Sequence, residues 1–460
     1  MYLGGGRYSC IAFHALCCGF VRDSVPSLDR SPSLRSAAWK LLSEGDLQAA
    51  RLMLEVLVHA SPSDLASHLL LTDACLELGP SCQDEAVSVA RRAYDASVKG
   101  ATDEQAGCAV GVAVALGSAA RDARLPEAAK QAQRLEAVGL LQTVADAATA
   151  GSAFALVHYN LGVLLAEAGK LDKAMAHARM ALEAVSGAQP VVVSVLASDD
   201  QGAAAKQTQL VTLCLVLCAL LMTTRQQHSA ALRLLAACPA PEHQSADASG
   251  VEPLHMCEVL LARTRARLCA SHLGDAAAAM ALLARLKRRC VSAVAGGERA
   301  HTQAEMRATI WQDLALLCAS AGDTAHAHVC VAQALKLCPW QARSHCVLGE
   351  VHEASGGAAE AMEAYNTALA LEPTCAAALL KLGTMYLRRG TPPDVAVAHE
   401  LLSDCLRYDA SSAASWFQLG LAARALGHSV ESEATLATAV KLARSQPALP
   451  FSDCPLLLRV

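Results

Sequence analysis

Sixteen histidines, nineteen cysteines and a short run of cations are the parts of this sequence that could do chemistry. Histidine serves as general base or metal ligand near neutral pH, and cysteine as nucleophile or zinc ligand. Spacing removes most of these readings. The cysteines are odd in number, form no CxxC pair, and stand inside apolar helical stretches at positions such as Cys75, Cys214, Cys318, Cys346 and Cys405. They read as buried free thiols acting as small apolar residues, which suits a reducing compartment and argues against a disulfide framework or a zinc site. His345, His352 and His399 fall where a packing or surface residue is expected, with no nucleophile or carboxylate constellation beside them. There is no Walker-type loop, HExxH, GxSxG, or GxGxxG between a strand and a helix. The reading is therefore not an enzyme, with no catalytic residue, cofactor or metal.

One basic segment stands apart. Between Met280 and Val294, Arg285, Lys287, Arg288 and Arg289 are interleaved with Leu282, Leu283, Leu286 and Val291. A basic amphipathic helix of this kind is a candidate calmodulin target. The competing reading, which is favoured, is the second helix of a repeat with a solvated positive face, its apolar residues already taken by packing. A calmodulin contact would require that helix to loosen.

The elements that carry these residues follow from composition and period. Of the 460 residues 53% are hydrophobic yet only 3% aromatic, and the excess of Ala and Leu points to closely packed helices. A formal net charge of −5 gives no broad basic field, so protein partners are expected and nucleic acid is not. The most apolar stretch, Leu210 to Met222, is thirteen residues long, whereas a membrane-spanning helix needs about 20. It reads as a buried helix, and Met1 to Phe20 carries no secretory signal.

A period of 34 marks stacked helix-turn-helix units. From Ala308 one unit places Trp311 and Leu314 in its first helix, Gly322 at the turn, Ala327 and Ala334 in its second helix, and Pro339 at the exit. The next, from Ala342, has Gly349, Gly356, Ala361, Tyr365, Ala368 and Pro373 at corresponding positions. A third, from Ala376, carries Gly383, Tyr386 and Gly390, then a three-residue insertion around Thr391 to Asp394. The fourth, from Ala413, has Trp416, Gly420, Gly427 and Ala439. Small residues at the eighth and twentieth positions let the two helices approach closely; larger ones fill the space between units, and proline ends the second helix.

Upstream the register recurs from Ala155, from Ser31 and from Leu65, with an expanded helical pair at Asp103 to Gly117 and Pro126 to Ala148. Further units fit Val211 to Glu242 and Leu261 to Val291, with polar or Gly-rich loops at Ser186 to Gly202, Pro239 to Pro253 and Val294 to Gln303. The expectation is one all-α, right-handed superhelical solenoid of about ten tetratricopeptide repeats. It divides into a poorly ordered or unplaced N-terminal segment (1–30), degenerate repeats (31–305), four regular repeats (306–446) and a tail or cap (447–460). Its concave groove is the default binding surface. A carboxylate clamp of Lys and Asn is not evident, because Asn160 and Lys381 are isolated matches, and the scarcity of Asn also argues against an asparagine ladder.

The runs IWQDLALLCASAGDTAHAHVCVAQALKLCP, EAMEAYNTALALEP and SWFQLGLAARALGHSVESEATLATAVKLARSQPALPF, with LPEAAKQAQRLEAVGLLQTV and HYNLGVLLAEAGKLDKAMAHARMALEA, resemble the tetratricopeptide-repeat protein 7 family. Its plant branch is the no-pollen-germination, calmodulin-binding group. The resemblance takes in residues 30 to 455 and is to the family's C-terminal half. It implies a scaffold of a plasma-membrane phosphatidylinositol 4-kinase complex, cytoplasmic and held at the membrane through its partners. The alternative it implies is a calmodulin-binding adaptor in vesicle trafficking or signalling.

Overall fold

The computed structural model describes residues 31–97, 102–122, 124–145, 152–187, 200–238, 256–272, 274–291 and 299–457. The leading 1–30 segment lies outside them. Within them, helices alternate in hairpins and no strand occurs. The first five hairpins are α1 (Ser31–Glu44) with α2 (Leu47–Ala60), α3 (Leu65–Glu77) with α4 (Gln83–Ser97), α5 (Thr102–Ala119) with α6 (Glu127–Ala145), α7 (Ser152–Glu167) with α8 (Leu171–Gly187), and α9 (Asp200–Thr223) with α10 (His228–Ala236). Next come α11 (Met256–His272) with α12 (Ala276–Val291), α13 (Arg299–Ser320) with α14 (Thr324–Leu337), α15 (Ala342–Ser355) with α16 (Ala358–Leu371), α17 (Ala376–Arg389) with α18 (Pro392–Tyr408), and α19 (Ala413–Ala425) with α20 (Ser429–Arg444).

Each hairpin turns where its sequence stops supporting a helix. Gly356 closes α15 at φ 86°, a left-handed conformation that a Cβ would strain, and Gly322 turns the same corner at φ 83°. The next helix starts on a side-chain cap: Asp46 accepts from the Ala49 amide, Asp323 from that of His326 and Ser412 from that of Ser415. The inserted residues after Thr391 do not bulge as a loop. Both α16 and α18 begin two residues beyond their left-handed glycine, but α18 has 17 residues against 14. Pro392 and Pro393 fit the first turn of a helix, where no N–H is needed, so the extra residues lengthen α18.

Two expected loops are shorter than their polarity suggested. α9 begins at Asp200 and α13 at Arg299, so Asp200–Gly202 and Arg299–Gln303 are helical. Polar composition misled here because Ala, Gln, Lys and Arg are strong helix formers that need no burial. Ser186 and Gly187 likewise belong to α8; the remainder of those loops, and Pro239–Pro253, lie outside the described residues.

Consecutive first helices of the hairpins pack on one another along the array, as α13, α15, α17 and α19 do, and so form the inner layer; the second helices stand outside them. Crossing within a hairpin is tightest at Gly349, where an added Cβ would fall 2.5 Å from the Tyr365 ring. One apolar cluster runs from Ala38 in α1 through Leu268 in α11, and a second joins α11–α15. Leu210–Met222 lies within α9 and is part of the first; no described helix is long and apolar enough to cross a membrane. The array also curls back on itself. The Lys130 ammonium of α6 donates to the Tyr408 carbonyl at the end of α18, 2.9 Å away and 278 residues along the chain.

Gly349→Ala should lower stability by about 1–3 kcal/mol, because the Tyr365 ring has to move. Gly107→Ala in α5 meets nothing within 4 Å and should raise it by up to about 1 kcal/mol through helix propensity. Urea unfolding of the two variants measures the contrast.

Candidate functional site

The inner layer is where a solenoid of this kind offers its concave surface, and in this chain the surface is occupied. Ser445 follows α20, and Pro447 and Pro450 then prevent the helix from resuming. The chain continues through a single 3-10 turn, Phe451–Asp453, and returns along the first helices of upstream hairpins. Leu449, Phe451 and Cys454 are buried in the same apolar cluster as α1–α11, while Gln446, Pro450 and Ser452 remain exposed.

Polar side chains of the inner helices hold this segment mainly by its backbone. Asn160 of α7 donates to the Leu457 carbonyl at 2.7 Å and accepts from the Leu457 amide at 2.8 Å. Its neighbour Tyr159, fully buried, donates its hydroxyl to the Pro455 carbonyl at 3.0 Å, and burial raises that phenol well above its ordinary pKa. The Ala448 amide donates to the Thr223 hydroxyl at 3.1 Å, and Gln226 donates to the Arg444 carbonyl at 3.2 Å. Leu456 lies against Gly117 of α5, so close that a Cβ there would collide with it.

One contact reads a side chain. Arg263 of α11, 7% exposed, pairs with Asp453 at 2.9 Å and with Asp313 of α13 at 2.6 Å. Arg267 and Arg343 reach the other Asp313 oxygen at 3.4 and 3.9 Å. Burial alone would push the Asp313 carboxyl up, but the three guanidiniums outweigh it and hold it below its ordinary value. The Nη2 of Arg263 is buried with no hydrogen-bond partner among the described residues.

The repeat-signature residues are placed elsewhere, in packing roles. Trp311, Ala327, Ala334, Ala361, Ala368 and Ala439 are buried between helices. The Tyr365 hydroxyl donates to Glu353, Trp416 Nε1 donates to the Ala410 carbonyl, and Tyr386 lies under the Arg389 guanidinium. Gly349, Gly383 and Gly420 face Tyr365, Leu402 and Leu436 respectively. The Pro339 carbonyl meets His345 Nε2 at 3.0 Å, and Pro373 is exposed between α16 and α17.

In the basic helix α12, Leu283 and Leu286 are core residues and Arg285 is exposed. The side chains of Lys287, Arg288 and Arg289 lie outside the described residues. A cleft of about 420 Å³ beside α12 is lined by Leu232, Ala236, Cys269 and Leu282, with Arg233 and Arg265 at its edge.

Metal-ligating types come together at one place among the described residues. His399 of α18 and His428, which precedes α20, lie 3.0 and 3.3 Å from the two oxygens of Glu431. The sequence reading missed this grouping because two of its members sit on either side of an inter-repeat connection. As it stands, the Glu431 carboxylate ties α18 to α20. The fifteen described cysteines are free thiols, and the Cys346 and Cys375 sulfurs touch at 3.7 Å between neighbouring hairpins.

Comparison with known proteins places this architecture. Residues 346–394 match the tetratricopeptide repeat family. Tetratricopeptide repeat protein 7B of Homo sapiens is 30% identical over 154 residues, which is 33% of this chain and 18% of that protein. Protein NPGR2 of Arabidopsis thaliana is 27% identical over 144 residues, 31% of this chain and 20% of the relative. Over about a third of its length the chain is similar to members of the tetratricopeptide-repeat protein 7 family. Its matched part spans about a fifth of the length of these family members. The crystal structure of Ypp1 superposes on 96% of this chain and 60% of Ypp1, with a TM-score of 0.52 at 10% identity, a likeness of fold.

Two substitutions test the groove. Asn160→Ala removes both backbone bonds to Leu457, a loss of about 1–3 kcal/mol, and amide exchange at Leu457 should quicken roughly ten- to hundred-fold. Asp313→Ala removes one of the two carboxylates paired with the buried Arg263 and should cost up to about 3–5 kcal/mol in denaturant unfolding, part of it recovered by adding Arg263→Met. With its folded pKa below the ordinary 3.8, Asp313 contributes this stability above that pH and loses it as pH falls through the depressed value.

Proposed function

We propose that the chain is a non-catalytic protein–protein scaffold of a plasma-membrane phosphatidylinositol 4-kinase complex, cytoplasmic and reaching the membrane only through its partners. The observation that carries this reading is the sequence match to tetratricopeptide repeat protein 7B, on a chain whose described part is a continuous helical solenoid. Proteins of this repeat type bind protein partners, and a quasi-linear array offers them long surfaces made of successive units. With the inner groove filled by residues 446–457, the kinase subunits are taken up by the outer helices and the edges of the array.

A second reading, a calmodulin-binding adaptor in vesicle trafficking or signalling, rests on the exposed Arg285 of α12 and the basic residues after it. It is the weaker one, since Leu283 and Leu286 would have to leave the core before calmodulin could grip that helix. Purification of the tagged chain from its own cells, with calcium and with chelator, tests both. A phosphatidylinositol 4-kinase should co-purify under both conditions. Its absence from both, with calmodulin recovered only in calcium and lost on charge reversal at Arg285, Lys287 and Arg288, would replace the first reading by the second.

A further inference from the structure

We propose that the inner groove is a peptide-binding site which residues 446–457 occupy in cis, and that it accepts in trans an extended peptide of the same chemistry: an aromatic anchor followed two residues later by a carboxylate.

The way the segment is held carries this. A terminal cap that served only to cover apolar surface would need buried side chains and little else. Here three side chains on α7 and α9 are spent on main-chain groups of the segment: Asn160 on both the amide and carbonyl of Leu457, Tyr159 on the Pro455 carbonyl, and Thr223 on the Ala448 amide. Main-chain clamping of an extended chain, combined with a few side-chain pockets, is how proteins hold peptides whose backbone would otherwise lose its hydrogen bonds to water. Sequence is read at two places. Phe451 is buried in the main apolar cluster, and Asp453 pairs with Arg263, whose Nη2 is buried and has no hydrogen-bond partner among the described residues. A carboxylate can be bound by two guanidinium nitrogens at once, so the groove has capacity for an acidic group beyond what Asp453 uses.

The segment is also built to leave as a unit. It makes no regular secondary structure apart from one 3-10 turn, and prolines at 447, 450 and 455 keep it extended when free, which reduces the entropy lost on docking. Gln446, Pro450 and Ser452 face solvent, so the first part of the segment is open on one side.

The test keeps the full chain. A protease recognition sequence is inserted between Ser445 and Gln446, the folded protein is cut, and uptake of a fluorescein-labelled synthetic peptide of residues 446–457 is followed by anisotropy. The cut chain should take up the label and the uncut chain should not. Phe451→Ala or Asp453→Ala in the peptide, or Asn160→Ala in the chain, should weaken uptake at least tenfold. A cut chain that keeps its helicity but takes up no label overturns the proposal, as does equal uptake by cut and uncut chains. Should cutting melt the array, amide exchange of the uncut chain decides. Ala448 and Leu457 amides exchanging at least tenfold faster than those of α7 uphold a segment that leaves on its own; equal rates overturn it.

Discussion

Two helices packed against each other still leave apolar surface on both sides of the pair, at a cost of roughly 25 cal/mol for each Å² left in water. In a repeat array the next pair covers one side and the previous pair the other, which is why small residues must stand wherever helices cross. The ring of Tyr365 can be fully buried only because position 349 has no side chain to displace it. What stacking does not cover is the inner face, where first helices such as α5 and α7 are apolar nearly all the way round. Along α7, Val157, Leu161, Leu164 and Leu165 are all buried, so neither side of that helix could face an open channel without exposing them. Leu449, Phe451 and Cys454 provide the missing cover, and the closure of α6 against the end of α18 brings them to it.

The repeats were legible in the sequence because their determinants are local. Gly322, Gly356, Gly390 and Gly427 recur at nearly fixed intervals, and each fixes a turn through its own backbone conformation. Contacts between hairpins follow from that order without further information. The filled groove was not legible, since its polar contacts join residues 190 to 297 positions apart. Asn160 was visible as a matching residue and was set aside because no second Asn accompanied it. The better signal was its setting: an amide inside the run from Leu156 to Leu165 has to find partners or be expelled. Asp313 carried the same signal, a carboxylate between Ile310 and Leu314, and its partners come from two neighbouring hairpins.

Charge inside the groove has a direction. Arg263, Arg267 and Arg343 bring three cations to one buried carboxylate, so the cluster carries excess positive charge that Asp453 reduces. Ion pairs of this kind add little net stability over apolar packing, because desolvation offsets most of the attraction. What they supply is discrimination: an occupant without a carboxylate at that place would leave Arg263 Nη1 without its ion-pair partner in a nearly dry site, with Asp313 still on Nε. The apolar contacts thus supply most of the hold, and the arginine decides which extended segment lies there and in what register.

Tethering then sets how strongly the groove is guarded. A segment joined to its site by a short linker acts at an effective concentration in the millimolar range. A free peptide making the same contacts at micromolar concentration would therefore hold the site only about a thousandth of the time. Weak or accidental ligands are excluded by this arithmetic, although the groove is suited to extended chains in general through its backbone contacts. Entry of another chain requires either additional contacts beyond the groove or a partner that first draws the tethered segment away from it. In both cases the apolar inner face stays covered until a competing chain displaces the tethered segment.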